Sequence, residues 1–311
     1  MMNRQHIPVM LKEAISGLNI KPHGIYIDCT MGGGGHAAEI LRRLNKDGHL
    51  YCFEHDFDIL SYGRNALAQI ASNYTIIPEN FIHIKSKIDE IGIKEIDGIL
   101  YDLGVSSFQF DIGERGFSYH LAAALDMRMN RAQSLSAYDI VNKYSYEELR
   151  NIFYQYGEEK FAPPIARRIV TEREKQPITM TTDLAEIVLK SVPPYIRRLD
   201  SHPAKKVFQA LRIAVNDELN NLEVSLNDAI SMLRKGGRIV VISFHSLEDR
   251  IVKQIYRKYA EPTIPRGLPI KEKDIIRNYR LVNKRVIVPS EMEISVNKRA
   301  RSAKMRILEK I

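Results

Sequence analysis

Short, continuously apolar runs recur through the first hundred residues, separated by polar and glycine-bearing stretches. Ile25-Tyr26-Ile27, His49 to Phe53, Tyr74 to Ile77 and Ile96 to Tyr101 each read as a strand, and Arg238 to Ser243 reads as another far downstream. Their apolar character is continuous rather than alternating, as expected of parallel strands covered on both faces. Between them lie segments with helical spacing, one beginning near Ala37 and one from Asp58 to Ile70. This alternation predicts an α/β fold with a doubly wound, Rossmann-like sheet.

The span 111–203 has a different pattern. It contains helical runs such as Tyr146 to Tyr156 and Leu184 to Ser191, and little that resembles a strand. Pro163-Pro164, Pro177, Pro193-Pro194 and Pro203 punctuate it. We read it as a helical subdomain inserted into a sheet domain made of residues 1–110 and 204–311. Ala204 to Leu219 is expected to resume as a long helix of the sheet domain. Glu261 to Ile294 is interrupted by prolines and shows no clear element.

The densest chemistry follows the first strand: Asp28-Cys29-Thr30-Met31-Gly32-Gly33-Gly34-Gly35-His36. Glycines let such a loop turn sharply and approach a ligand closely. A strand, a glycine loop and a helix together make the usual nucleotide-cofactor site of open α/β sheets. The spacing Gly32-x-Gly34-x-x-Ala37 also fits a relaxed dinucleotide fingerprint, so the glycines alone do not choose the cofactor. Asp28 does. It would repel a pyrophosphate but favour a cationic, phosphate-free ligand such as S-adenosyl-L-methionine, which carries a sulfonium and an ammonium.

Glu54 and Asp102 place two further carboxylates at strand ends. Glu54 lies about 20 residues past the loop, where an acidic residue can accept hydrogen bonds from ribose hydroxyls. One such carboxylate is readily a turn former; three at one sheet edge point to a shared ligand with a positive charge and hydroxyl groups. Phe81, after the third strand, is placed to wall an adenine ring or to fill the core.

Composition narrows the classes. The 311 residues are 44% hydrophobic and 27% charged, ordinary for a globular protein. No apolar run reaches membrane-span length, and the polar N-terminus does not resemble a signal peptide, so we expect no membrane association. Cys29 and Cys52 are the two cysteines. They fall in predicted strands without zinc-type spacing, so neither a metal site nor a disulfide is expected, and a reducing cytoplasmic setting fits. Net charge is +8, yet residues 253–311 carry 16 Lys and Arg against 6 Asp and Glu. A basic C-terminal region on a near-neutral body suggests a polyanionic partner or a merely solvated basic face.

Several long motifs, in order, carry a resemblance across nearly the whole chain. They are His6-x-Pro8-Val9-Met10, the Asp28 to His36 loop, Asp97 to Ser107, Glu114-Arg-Gly-Phe-Ser118 and Leu125-Asp-Met-Arg-Met129. Tyr156 to Phe161, His202-Pro-Ala204, Phe208 to Leu219, Ser243 to Arg250 and Arg299-Ala-Arg-Ser302 continue it. The chain resembles the bacterial ribosomal RNA small-subunit methyltransferase H family.

The resemblance implies a class I methyltransferase sheet with an inserted substrate-recognition domain, using S-adenosyl-L-methionine to methylate N4 of a decoding-region cytosine in 16S rRNA. It implies cofactor contacts at Gly34, Gly35, His36, Glu54, Phe81, Asp102 and Gln109. Glu54 stands where relatives often carry aspartate. Ala122 to Ala124, Asn130 and Pro163-Pro164 also depart from the common pattern, and they bear on substrate engagement rather than reaction type.

No catalytic group is assigned. Ser106, Ser107, Asp126, Arg128 and His245 are candidates for the substrate pocket, each with a structural alternative. The Asp/Asn-Pro-Pro-aromatic motif of other amino-methylating enzymes does not follow the fourth strand. Rival readings are a DNA amino-methyltransferase sharing the cofactor site, or an rRNA-binding assembly factor with a vestigial one. The oligomeric state is not specified, nor is the choice between naked rRNA and an assembled small subunit.

Overall fold

The computed structural model describes residues 7–106, 113–198, 202–261 and 277–311. The chain divides into two compact units, one of residues 1–104 and 219–311 and the other of 105–218.

The first unit holds a seven-stranded sheet of β1 (Ile25–Asp28), β2 (His49–Phe53), β3 (Tyr74–Ile77), β4 (Ile96–Asp102), β5 (Leu233–Ser243), β6 (Tyr279–Leu281) and β7 (Lys304–Lys310). Its order is β3-β2-β1-β4-β5-β7-β6. The first five strands pair in parallel, whereas β7 runs antiparallel to both β5 and β6. The sheet is therefore mixed rather than wholly parallel. The sequence reading contained neither β6 nor β7, whose charged residues conceal their register. Arg280 and Arg238 both pair with Glu309 across that edge, at 3.0 and 3.1 Å.

Side-chain alternation explains the continuous apolar runs. Ile27, Tyr51, Phe53, Ile99, Tyr101, Ile239 and Val241 enter one core. Helices Ile84–Glu90, Glu218–Met232 and Ser246–Ala260 contribute Ile84, Ile88, Leu226, Ile230, Val252 and Tyr256 to it. Tyr26, Leu50, Cys52, Leu100, Val240 and Ile242 point the other way. They meet Ala14 and Leu18 of helix Leu11–Leu18, and Ala37 and Ile40 of helix Gly35–Leu41. Both faces of the central strands are largely dry, so most of their positions are apolar. Burial of each large side chain stabilises the fold by about 1.5–3 kcal/mol. Cys29 and Cys52 are both free and buried.

At the other end of β4, Asp97 is 3% exposed and accepts from the Ile25 backbone N–H and from Arg234 and Lys21. β5 starts earlier than the apolar run suggests, with a register shift opposite Ile96 and Gly98. Gly236, at φ +78°, lies in that irregular stretch.

The second unit is helical, with helices Ala137–Lys143, Tyr146–Gly157, Ala162–Arg173, Thr181–Ser191, Pro194–Arg197 and Ala204–Asn216. Ser136 with Asp139 and Ser145 with Glu148 form capping boxes that start the first two. Pro163 and Pro164 do not interrupt the third helix. They sit in its first turn, where the missing N–H has no partner to lose.

Two expectations change here. Helix Ala204–Asn216 belongs to the helical unit, not the sheet domain, because Val207, Phe208, Leu211 and Val215 lie in the helical core. It also ends before Leu219: Asp217 takes a left-handed conformation at φ 50°, and a new helix begins at Glu218. Among the described residues no helix is long and apolar enough to cross a membrane.

Candidate functional site

Strand order brings three carboxylates to one edge. β2, β1 and β4 are neighbours, and Asp28 lies level with Cys52 and Leu100. Glu54 and Asp102 therefore follow two residues further along the flanking strands, both at carboxyl ends. Hydrogen bonds extend the sheet pattern past the strands, from Cys29 N–H to Leu100 O and from Met31 N–H to Phe53 O.

Asp28 is 1% exposed. Its Oδ1 accepts from the Thr30 backbone N–H at 3.0 Å, while Oδ2 is buried without a hydrogen-bond partner. Burial pushes its carboxyl up to about 6 despite the Thr30 bonds. Glu54 accepts from the backbone N–H groups of Gly32 at 2.9 Å and Asp56 at 2.8 Å, so it braces the glycine loop. Burial takes it up to about 7, against the lowering by those two bonds. Asp102 is raised well above the carboxylate range by burial, then by the charges of Asp28 and Glu248. Its side chain is 20% exposed, yet Oδ1 is shut off from solvent and has no hydrogen-bond partner. Two buried carboxylate oxygens without donors call for a cation or N–H donor.

The loop glycines have local reasons of their own. Gly34 caps helix Gly35–Leu41 at φ +83°, a conformation that strains any residue with a Cβ. A Cβ on Gly35 would stand 2.3 Å from Pro8 Cγ. The sequence reading attributed these glycines to ligand approach; at Gly35 the close neighbour is Pro8. His36, 5% exposed, reaches Val9 O through Nε2 at 3.0 Å and Asp102 Oδ2 through Nδ1 at 3.4 Å.

Phe81 opens a short 3-10 turn capped by Asn80, and packs edge-on against Tyr101 at 5.6 Å. His245 caps helix Ser246–Ala260, two residues beyond β5, accepting from the Glu248 N–H through Nδ1. Its Nε2 lies 3.1 Å from Glu248 Oε1 without hydrogen-bond alignment. Glu248 Oε2 in turn accepts from Phe244 N–H at 2.7 Å. Ser106 is half-buried and falls in the second unit. Ser107 and Gln109 lie outside the described residues.

Asp126 and Arg128 belong to the helical unit and form a bidentate pair, with 2.7 Å from Nε and 3.0 Å from Nη2. Burial pushes Asp126 up, but the bonds from Arg128 outweigh it and hold the carboxyl below its ordinary value. Arg128 also donates to the carbonyls of Arg131 and Gln133. This pair builds a loop; its donors are committed.

Sequence reasoning missed Thr30, Glu248 and Asn216. Thr30 Oγ1 joins Asp28 to the Asp102 backbone; a hydroxyl two residues after an aspartate was the available signal. Glu248 is the N3 residue of a capping box, concealed because the cap is histidine rather than Ser or Thr. Asn216 bonds Met127 O and Met129 N–H, both at 2.8 Å, and no local pattern announces that.

The sequence model of the MraW methylase family matches residues 3–311. The ribosomal RNA small subunit methyltransferase H of Lactiplantibacillus plantarum is 48% identical over 310 residues, covering 99% of this chain and 97% of that protein. Its namesake from Limosilactobacillus fermentum is 50% identical over 309 residues, covering 98% of each. A solved structure, a putative rRNA-methylase from Clostridium thermocellum, shares 10% identity at a TM-score of 0.46, covering 98% of this chain and 99% of that one. That overlap is too loose to carry an argument. Sequence similarity over the full length places this chain in the MraW methylase family.

Proposed function

We infer that this chain, a member of the MraW methylase family, is an S-adenosyl-L-methionine-dependent methyltransferase of 16S rRNA, acting on N4 of a decoding-region cytosine in the cytoplasm. The observation that carries the cofactor reading is the row Glu54, Asp28, Asp102 on adjacent strands, with buried unpartnered oxygens on Asp28 and Asp102. A ligand bearing an ammonium and a sulfonium fits that donor-poor, acidic edge. The residues that would hold it are Gly34, Gly35, His36, Glu54, Phe81, Asp102 and Gln109, with Glu54 taking the ribose hydroxyls and Phe81 beside the adenine.

When bound, the cofactor supplies a methyl group activated on sulfur, open to in-line displacement by the cytosine amine. That amine is a weak nucleophile because its lone pair is delocalised into the ring. The chain's contribution is alignment at near-attack distance, together with an acceptor for the amine proton. Asp102 Oδ1 is that acceptor, and the hydroxyls of Ser106 and Ser107, which follow it closely in sequence, are the alternative candidates. His245 caps its own helix, and the Asp126–Arg128 pair supports its own loop in the helical unit.

A base must leave its stack to reach such a site. We propose the assembled small subunit as the substrate, with Arg299 and Arg301 on flanking phosphates. Both are exposed, in a 3-10 turn before β7.

Mapping the modified nucleotides of 16S rRNA from cells with and without this protein tests the assignment. Loss of one N4-methyl on cytosine is expected, and an unchanged modification profile would sink it. Methyl incorporation into duplex DNA but not small subunits would favour a DNA methyltransferase. Failure to bind S-adenosyl-L-methionine by titration would favour an assembly factor.

A further inference from the structure

His36 and Asp102 cannot be in their ordinary neutral-pH forms at the same time. Val9 O is a carbonyl and only accepts, so His36 Nε2, 3.0 Å away, carries the hydrogen. A neutral ring then presents a bare lone pair at Nδ1. Opposite Nδ1, at 3.4 Å, lies Asp102 Oδ2, which in an ionised carboxylate is also an acceptor. Two acceptors face each other unless a proton lies between them, on Nδ1 or on Oδ2.

The surroundings support one shared proton. His36 is 5% exposed, and Asp102 feels Asp28 from β1 and Glu248 from helix Ser246–Ala260. His245 sits 3.1 Å from Glu248 on that helix. Thr30 accepts from the Asp102 backbone N–H at 2.8 Å, so Asp102 is held at its backbone as well as at Oδ2. Oδ1 is left buried and without a partner.

We propose that His36 is a positioning residue: it shares a proton with Asp102 Oδ2, and thereby orients and tunes Oδ1 as acceptor of the proton the cytosine amine loses. This rests on the methyltransferase reading above, in which Asp102 faces the amine. As the N4–methyl bond forms, the methyl's bond to its sulfur donor breaks with that pair left on sulfur, the N4–H bond breaks with its pair left on nitrogen, and the proton passes to Oδ1. The pair goes from one proton to two, and after product leaves one is lost through the partly exposed remainder of the Asp102 side chain. A positive ligand nearby keeps the pair from binding this second proton early. Discharge of that positive charge during methyl transfer raises the pair's proton affinity when it is needed.

The first test needs neither RNA nor cofactor. Histidine 15N resonances are followed against pH in the wild type and in Asp102→Asn, with His36 assigned by its absence from His36→Asn. Coupling predicts that the His36 midpoint moves by at least about one pH unit when Asp102 is neutralised. An identical His36 titration in both proteins overturns the proposal. The second test is single-turnover methyl transfer to small subunits. In His36→Asn, the single-turnover rate constant at saturation should fall at least about tenfold with the half-saturating concentration little changed, and the pH profile should change shape. A proportionate loss at every pH, with the wild-type profile retained, would make His36 merely structural. If His36→Asn does not fold, the Asp102→Asn comparison still decides, with the histidine assigned through its through-space contact to Val9. A wild type inactive on small subunits would instead sink the function reading, and the resonance experiment would still report the pair.

Discussion

The Asp102 backbone N–H donates to Thr30 Oγ1 at 2.8 Å, across 72 residues of chain. The same hydroxyl lies 3.5 Å from Asp28 Oδ1, so one side chain ties the end of β4 to the end of β1. Two of the three edge carboxylates are thus set relative to each other by a residue that need not touch a ligand. Thr30→Val should leave the Asp102 N–H without an acceptor, costing about 1–3 kcal/mol. Thr30→Ser should stay near the wild type. Denaturant midpoints with parallel cofactor titrations check this, and equal stability for the two variants would remove Thr30 from the account.

Gly35 separates packing from ligand approach. Gly35→Ala should destabilise the protein, because the new methyl meets Pro8 Cγ at 2.3 Å. Adding Pro8→Ala removes that atom, leaving Pro8 Cβ at an ordinary 3.4 Å. The double variant should recover most of the lost stability. If it recovers folding but not S-adenosyl-L-methionine affinity, ligand approach also requires this glycine.

The carboxylate row predicts pH-dependent binding. Asp28 and Glu54 titrate near 6 and 7, above ordinary carboxylates, because burial disfavours their charge. The native state therefore holds protons that the unfolded chain has released. Stability contributed by these groups falls as pH rises from the usual carboxylate range to about 7. A cationic ligand selects the ionised forms, so affinity should rise over the same window, with protons released on binding. Glu54→Gln should lose the upper part of that rise. Glu54→Ala should weaken the cofactor roughly tenfold to a hundredfold, as bonds to a charged acceptor are worth about 1.5–3 kcal/mol. Calorimetry across pH reads both, and flat affinity from pH 5 to 8 would contradict the site.

Asn216 predicts a stability effect in the helical unit. Its side chain donates to Met127 O and Arg212 O and accepts from Met129 N–H. Met127 has a left-handed backbone at φ 58°, a conformation that needs holding. Asn216→Ala should cost about 2–4 kcal/mol from the unsatisfied buried groups. Hydrogen exchange at Met129 should rise; unchanged protection there would place the loop's anchor elsewhere, Arg115 being the alternative through its bonds to Arg128 O and Met129 O.

The basic residues of the C-terminal region differ in their surroundings. Lys304 lies 3.6 Å from Asp249, and Arg306 pairs with the same carboxylate at 2.7 Å. Arg299 and Arg301 are exposed. Replacing these two with Ala should weaken RNA binding and reduce the log–log salt slope by about 0.7–0.9 per lost contact. Lys304→Ala should change the slope less, and cofactor affinity should hold in both variants. An unchanged slope in the Arg299/Arg301 variant would take them off the RNA surface.

The five parallel strands and the acidic edge were legible in the sequence because strands dry on both faces leave uninterrupted apolar runs, and the carboxylates end or follow those runs. The glycine loop and the family motifs are equally local signals. β6 and β7 were not legible, since antiparallel strands carrying Arg280, Arg306 and Glu309 lack that pattern. The sequence led us to expect a long helix from Ala204 to Leu219, and the structure ends it at Asn216. Which core receives its apolar face depends on residues distant in sequence, and Phe208 and Leu211 settle it in the helical unit. The same holds at the site. Asp28, Glu54 and Asp102 could be picked out individually, but their adjacency follows from the order β2-β1-β4. The bonds from Thr30 to Asp102 and from His36 to Val9 join residues that no local spacing relates. Local pattern determined the elements and their chemistry; the tertiary structure decided which buried polar atoms found partners, because desolvation acts only once the chain has closed around them.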